Sequence, residues 1–228
     1  MVGIKYEFSL IGGTFLVSEV EIARKLLKIK AFIFDWDGVF NSGYKGVENE
    51  SIFSEADAMG INMLRFNQWR ILKKMPLVFI ITNENNSTAR EFAKREHFNA
   101  IYSDYLNKKR AFQNISETYG VAYNEMAFVF DDILDVDAGR LCKLSFCVRR
   151  NASPMFRDYI VEHKVCHYIT GHEGGDNAVR ELSELLIGLS GEYDETIRKR
   201  IEFDDEYKQY LAQRNLISTE IIASTVMY

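Results

Sequence analysis

Apolar residues fall along this chain in short unbroken runs, each closed by a polar group. Ala31-Phe32-Ile33-Phe34 runs into Asp35-Trp36-Asp37-Gly38, Leu77-Val78-Phe79-Ile80-Ile81 into Thr82-Asn83, and Met126-Ala127-Phe128-Val129-Phe130 into Asp131-Asp132. Runs of this length without alternation predict strands covered on both faces, as in a parallel sheet. The pattern predicts strands over 31–35, 77–81, 100–102, 126–130, 144–148 and 166–169. Between them, helical spacing predicts helices over 57–74, 86–97, 108–119, 134–142, 154–163 and 176–189. Strands alternating with helices give βαβ units, so the fold class is α/β, a parallel sheet with helices on both faces. Pro76 falls where a helix must stop, and Pro154 suits a first helical turn.

Three segments depart from this alternation. Residues 39–53, with Asn41-Ser42-Gly43 and Gly46, have hairpin character. Residues 1–29 predict a strand pair around Gly12-Gly13 and a helix from Val20 to Lys28. After Gly191 the chain is highly charged, and Ile197, Ile201, Tyr207 and Leu211 form a loose amphipathic stripe. This predicts a helical extension that packs on the core or on another copy. The division expected is an extension over 1–29, a core domain over 30–190 and a charged helical extension over 191–228.

With 228 residues and 47% hydrophobic content, the chain is long enough for one well-buried core. No apolar run approaches the ~18 residues that span a bilayer, and the start lacks the basic-then-apolar pattern of a secretory signal. A cytoplasmic protein without a membrane partner is expected. The net charge is −5 and the basic residues are dispersed, which argues against nucleic acid as a partner. Cys142, Cys147 and Cys166 follow no pattern and read as thiols in a reducing compartment, and the four histidines lack the spacing of a zinc site.

Chemistry concentrates at the strand ends. Asp35 and Asp37 stand two residues apart at the end of a buried strand, where carboxylates need a cation or a donor. Mg²⁺, which takes oxygen ligands and keeps water positions for a phosphate, suits them. Thr82, then Lys108 at the head of a helix, then Asp131, Asp132 and Asp135 follow in order, each at a strand's carboxyl end or a helix start, where open α/β sheets bind ligands.

Acid, hydroxyl, amine and acid in that order resemble the haloacid dehalogenase superfamily of phosphotransferases. The segments Phe34 to Val39, Phe53 to Ile61, Asn107-Lys108, Asp131 to Asp135 and Gly174-Gly175-Asp176-Asn177-Ala178-Val179-Arg180-Glu181 are similar to its small capless phosphatases. Those enzymes remove the 8- or 9-phosphate of keto-deoxy sugar acids. The resemblance implies a phosphorylated sugar acid as substrate, Mg²⁺ as cofactor and a homotetramer in which a hairpin, here residues 39–53, closes a neighbouring site.

It also implies roles. Asp35 is the nucleophile. Asp37 is general acid and base, its carbonyl on the metal. Thr82 holds the phosphoryl group and Lys108 neutralises it. Asp35, Asp37 and Asp131 hold Mg²⁺, with Asp131 preferred to Asp132. Asp132 and Asp135 support the metal from behind or orient Lys108. Asn83, Glu84 and Asp57 contact the sugar. Where octulosonate 8-phosphate phosphatases carry Gly-Arg after the threonine, this chain has Asn83-Glu84. Glu84 looks like the branch that handles nine-carbon acids; it either accepts bonds from sugar hydroxyls or charges a helix N-terminus. Phe130 replaces a glycine, and either narrows the pocket or points into the core. A broad-range sugar phosphatase and a weakly active scaffold are the competing readings.

Overall fold

The computed structural model describes residues 3–44 and 51–224. In chain order its elements are α1 (Ile4–Leu10), β1 (Thr14–Phe15), α2 (Glu19–Leu26), β2 (Ala31–Asp35), α3 (Glu55–Leu72), β3 (Leu77–Ile81), α4 (Ser87–Arg95) and β4 (Ala100–Ser103). They continue with α5 (Lys108–Tyr119), β5 (Met126–Phe130), α6 (Val136–Gly139), β6 (Leu144–Arg149), α7 (Pro154–Glu162), β7 (Tyr168–Glu173), α8 (Ala178–Leu189), α9 (Tyr193–Glu202), α10 (Asp205–Arg214) and β8 (Glu220–Ala223).

The strands form one sheet in the order β1-β7-β6-β5-β2-β3-β4-β8. Every pair is parallel except β1 with β7. From β2 the chain runs outward through β3 and β4 on one side, then returns to build β5, β6 and β7 on the other. That reversal opens a crevice at the carboxyl ends of β2, β3 and β5. Two apolar layers cover the sheet. One holds Phe34, Trp36, Phe66, Phe92, Val129 and Leu185; the other holds Ile33, Phe79, Phe112, Phe128 and Phe130.

Several expectations are corrected. The segment before Gly12 is a helix, and β1 pairs with β7 rather than with its own neighbour in sequence. The helix expected over 134–142 is a 3₁₀ turn at Ile133–Asp135 followed by the four residues of α6. Asp132 caps that turn through its own side chain, and Asp135 is drawn inward to Lys108, so a regular helix cannot run through. The tail is two helices, because Phe203 turns left-handed (φ 51°) and Asp204 caps α10. Ile201 is exposed, outside the expected stripe, and the strand β8 at the end was not foreseen. Of the hairpin expected over 39–53, residues 45–50 lie outside the described residues, and the backbone over 37–40 is turn.

Candidate active site

The register of the sheet brings the polar strand ends together. Asp35 pairs with Ile81 on one side, which puts Thr82 one step past the end of β3; Phe34 pairs with Val129 on the other, which puts Asp131 just past the end of β5. α5 begins with Lys108, held at its start by the Asn107 side chain on the Lys109 N–H. The sequence therefore delivers three strand ends and one helix start to one place.

Lys108 is buried, and its Nζ lies 2.8 Å from Asp35 Oδ1 and 2.5 Å from Asp135 Oδ1. Asp35 Oδ1 also accepts from the Trp36 N–H at 2.8 Å. Both of these bonds fall on Oδ1, so Oδ2 is bonded to no described residue. Burial pushes the Lys108 ammonium down, and the two facing carboxylates more than offset it, so its pKa lies above the ordinary value. Asp131 is lifted to about 7 by burial and by the Asp35 charge, against the pull of Arg150. Asp135 is also raised, by burial first and then by Asp35, with Lys108 opposing.

Asp35, Asp131 and Asp135 each offer an oxygen within 4.8 Å of the others, and all three are buried. Asp131 and Asp135, raised by burial and then by the Asp35 charge, mark a cluster short of positive charge. An all-oxygen donor set of this kind fits a hard divalent cation. Asp37 is half-buried beside them and accepts from Asn41 Nδ2 at 3.4 Å.

Asn41 organises the loop that carries Asp37. Its Oδ1 accepts from Gly43 N at 2.7 Å, while its Nδ2 reaches the Trp36 carbonyl at 3.4 Å. Gly38 (φ +80°) is required here, because a Cβ would lie 2.0 Å from Asp131 Oδ2. Gly174 has a similar duty: its Cβ would sit 2.1 Å from the Gly38 carbonyl, so the Gly174-Gly175 pair lets the chain after β7 run against this loop.

Thr82 is buried, and its Oγ1 accepts from the Glu84 N–H at 3.3 Å, which shapes the turn after β3. Asn83 Oδ1 is buried and bonded to no described residue. Glu84 is half-exposed on the same turn.

Two expected site residues are placed elsewhere. Asp57 is fully buried, and its Oδ1 accepts from Arg180 N at 2.7 Å, so it caps the start of α8 instead of meeting a sugar. Asp132 is exposed and accepts from its neighbour Ile133 N at 2.7 Å, while Asp135 takes the position against Lys108. Phe130 points into the core, stacked 5.6 Å from Phe128 and packed on Gly139. Sequence reasoning passed over Arg150, whose Nε bonds Asp131 Oδ2 from just beyond β6. The signal was present: Arg149-Arg150 closes an apolar run as the aspartates close theirs.

No family model matches the chain. It is 27% identical over 179 residues to the 3-deoxy-D-manno-octulosonate 8-phosphate phosphatase of Escherichia coli K12, covering 77% of this chain and 88% of that protein. A HAD superfamily (subfamily III A) hydrolase from Legionella pneumophila shares the fold with a TM-score of 0.65 and 26% identity, over 80% of this chain and 94% of that one. The 3-deoxy-D-manno-octulosonate 8-phosphate phosphatase of Moraxella catarrhalis, solved with magnesium, phosphate and its sugar acid, superposes with a TM-score of 0.64 at 24% identity, over 78% of this chain and 97% of that one. In sequence and in fold alike, the chain is a relative of these phosphatases and has the architecture of the haloacid dehalogenase superfamily.

Proposed function

We propose that the chain is a Mg²⁺-dependent phosphatase that hydrolyses the terminal phosphate of a keto-deoxy sugar acid. The observation that carries this reading is the cluster of Asp35, Asp131 and Asp135 around the buried Lys108 at the reversal point of the sheet. Relatives named as a phosphatase and as a hydrolase, of which this chain covers most of the length, support it.

In this reading, Asp35 attacks phosphorus through Oδ2 and forms an aspartyl-phosphate, while the bond from phosphorus to the sugar oxygen breaks. Asp37 gives its proton to that leaving oxygen. It then takes a proton from the water that attacks the same phosphorus, which frees inorganic phosphate and returns Asp35 to its carboxylate. Lys108 holds Asp35 in place and offsets charge on the phosphoryl oxygens, and the Thr82 turn cradles them. Asp35 and Asp131, with the Asp37 carbonyl, would hold Mg²⁺, with Asp135 behind them; the ion supplies charge neutralisation at the phosphate. Residues 30–190 carry this chemistry, and the two extensions complete the sheet around it.

For the sugar, the half-exposed Glu84 offers a carboxylate to hydroxyls, which favours a nine-carbon acid over octulosonate 8-phosphate. A phosphate-release assay on both substrates, with Mg²⁺ and with excess chelator, tests the whole reading. Turnover should require the metal and run faster on the nononate 9-phosphate. Full activity in chelator contradicts the metal site, and a clear preference for octulosonate 8-phosphate contradicts the role given to Glu84.

A further inference from the structure

Among the described residues, Arg150 is a cation bonded to this cluster that the proposed chemistry leaves without a task. Its Nε bonds Asp131 Oδ2, on one of the three carboxylates that could hold the metal. The side chain is wedged by the loop after β2. A Cβ on Gly38 would lie 2.3 Å from Arg150 Nη2, and one on Gly43 2.8 Å from the same atom. It is also aimed by the sheet: the register of β6 with β7 shifts between Cys147 and Arg149, and such an irregularity redirects the residues that follow. Beyond the guanidinium lies a cavity of about 260 Å³ whose described lining includes Ser42, Tyr44, Arg149 and Glu173.

Resting on the metal-dependent reading above, we propose that Arg150 is an internal cation that competes with the divalent ion for Asp131. A guanidinium on Asp131 compensates a buried carboxylate while the metal is away. A divalent ion arriving at the same carboxylate both takes its lone pairs and repels the guanidinium. Arg150 must therefore yield, and its donors then face the adjoining cavity, where the oxygens of an anionic substrate can take them. Metal affinity is thus set below what the three carboxylates alone would give, and the anion restores part of it.

The test is Mg²⁺ binding to the full chain by titration calorimetry, without substrate, for the wild type, Arg150→Met and Arg149→Met. Arg149 carries the same charge next door but donates to Asn151 instead, so it reports the general effect of removing a positive charge. The expected result is a Kd for Mg²⁺ about tenfold lower in Arg150→Met, the size of one charge-assisted bond, and less than twofold lower in Arg149→Met. An unchanged or weaker affinity in Arg150→Met, or an equal gain in both variants, overturns the proposal. Should the methionine variant fail to fold, Arg150→Gln fills the same space without charge and carries the same thresholds. Metal-dependent phosphate release by a wild type whose Kd ignores position 150 defeats this inference alone. A wild type that binds no Mg²⁺ defeats the underlying reading as well.

Discussion

Asp35 and Asp57 show how burial alone does not decide what a carboxylate does. Both are buried. Asp35 faces a lysine and two further carboxylates, whereas Asp57 faces backbone N–H groups at the start of α8. Burial lifts Asp57 from 3.8 to about 6, against the pull of the Arg180 and Val179 N–H groups. Between about pH 4 and 6 the folded chain then holds more proton at this position than the unfolded chain, so its contribution to stability falls as pH rises and is level above 6. Asp57→Asn removes this titration. The unfolding free energy of the wild type relative to the variant, measured in urea, should drop by on the order of 2 kcal/mol from pH 4 to pH 7. A difference independent of pH contradicts the account. The partner of Asp57 lies 123 residues away in sequence, which is why a residue beside a recognisable motif read as a substrate contact. Arg150 escaped notice for a related reason: its long side chain acts across the crevice on a residue 19 positions earlier.

At the scale of elements, legibility follows burial. The strands expected over 31–35, 77–81 and 126–130 and the helix over 108–119 have those bounds in the structure, because a parallel strand covered on both faces must be apolar throughout and its polar exit marks its end. The edge elements were illegible. β1 has two residues and β8 four, and each is defined by its pairing with a distant strand, β7 or β4, rather than by its own pattern. The tail hid a second feature: Tyr210 is fully buried against Phe66 and Trp69, with ring centroids at 5.2 and 6.0 Å, and its hydroxyl donates to the Asn62 carbonyl at 3.2 Å. Trp69 Nε1 in turn donates to Gln213 Oε1 at 2.8 Å. α10 is therefore part of the core over α3. Tyr210→Ala should cost about 3–5 kcal/mol of stability, read as a lower midpoint in denaturant melts. A loss below about 1 kcal/mol would mean that the tail rests on the fold without supporting it.

Across the whole molecule, the sheet's reversal at β2 is what turns scattered sequence motifs into one site. Asp35, Thr82, Lys108 and Asp131 are spread over nearly a hundred residues, yet each arrives from a strand end or helix start at the same crevice. The order of these residues in the sequence was enough to anticipate the fold and most of the cluster. Which acid stands behind Lys108, and what pairs with Asp131, depends on side-chain directions that order does not encode. The central claim is that Asp35 is the nucleophile of a phosphatase, and the most direct measurement is phosphate release from a keto-deoxy sugar acid phosphate by Asp35→Asn in saturating Mg²⁺. An amide in that place keeps the shape of the site but cannot form the aspartyl-phosphate, so the rate should fall by at least roughly a thousandfold with the folded state intact. Retention of more than about a tenth of the wild-type rate, a change in barrier below ~1.4 kcal/mol, would contradict it.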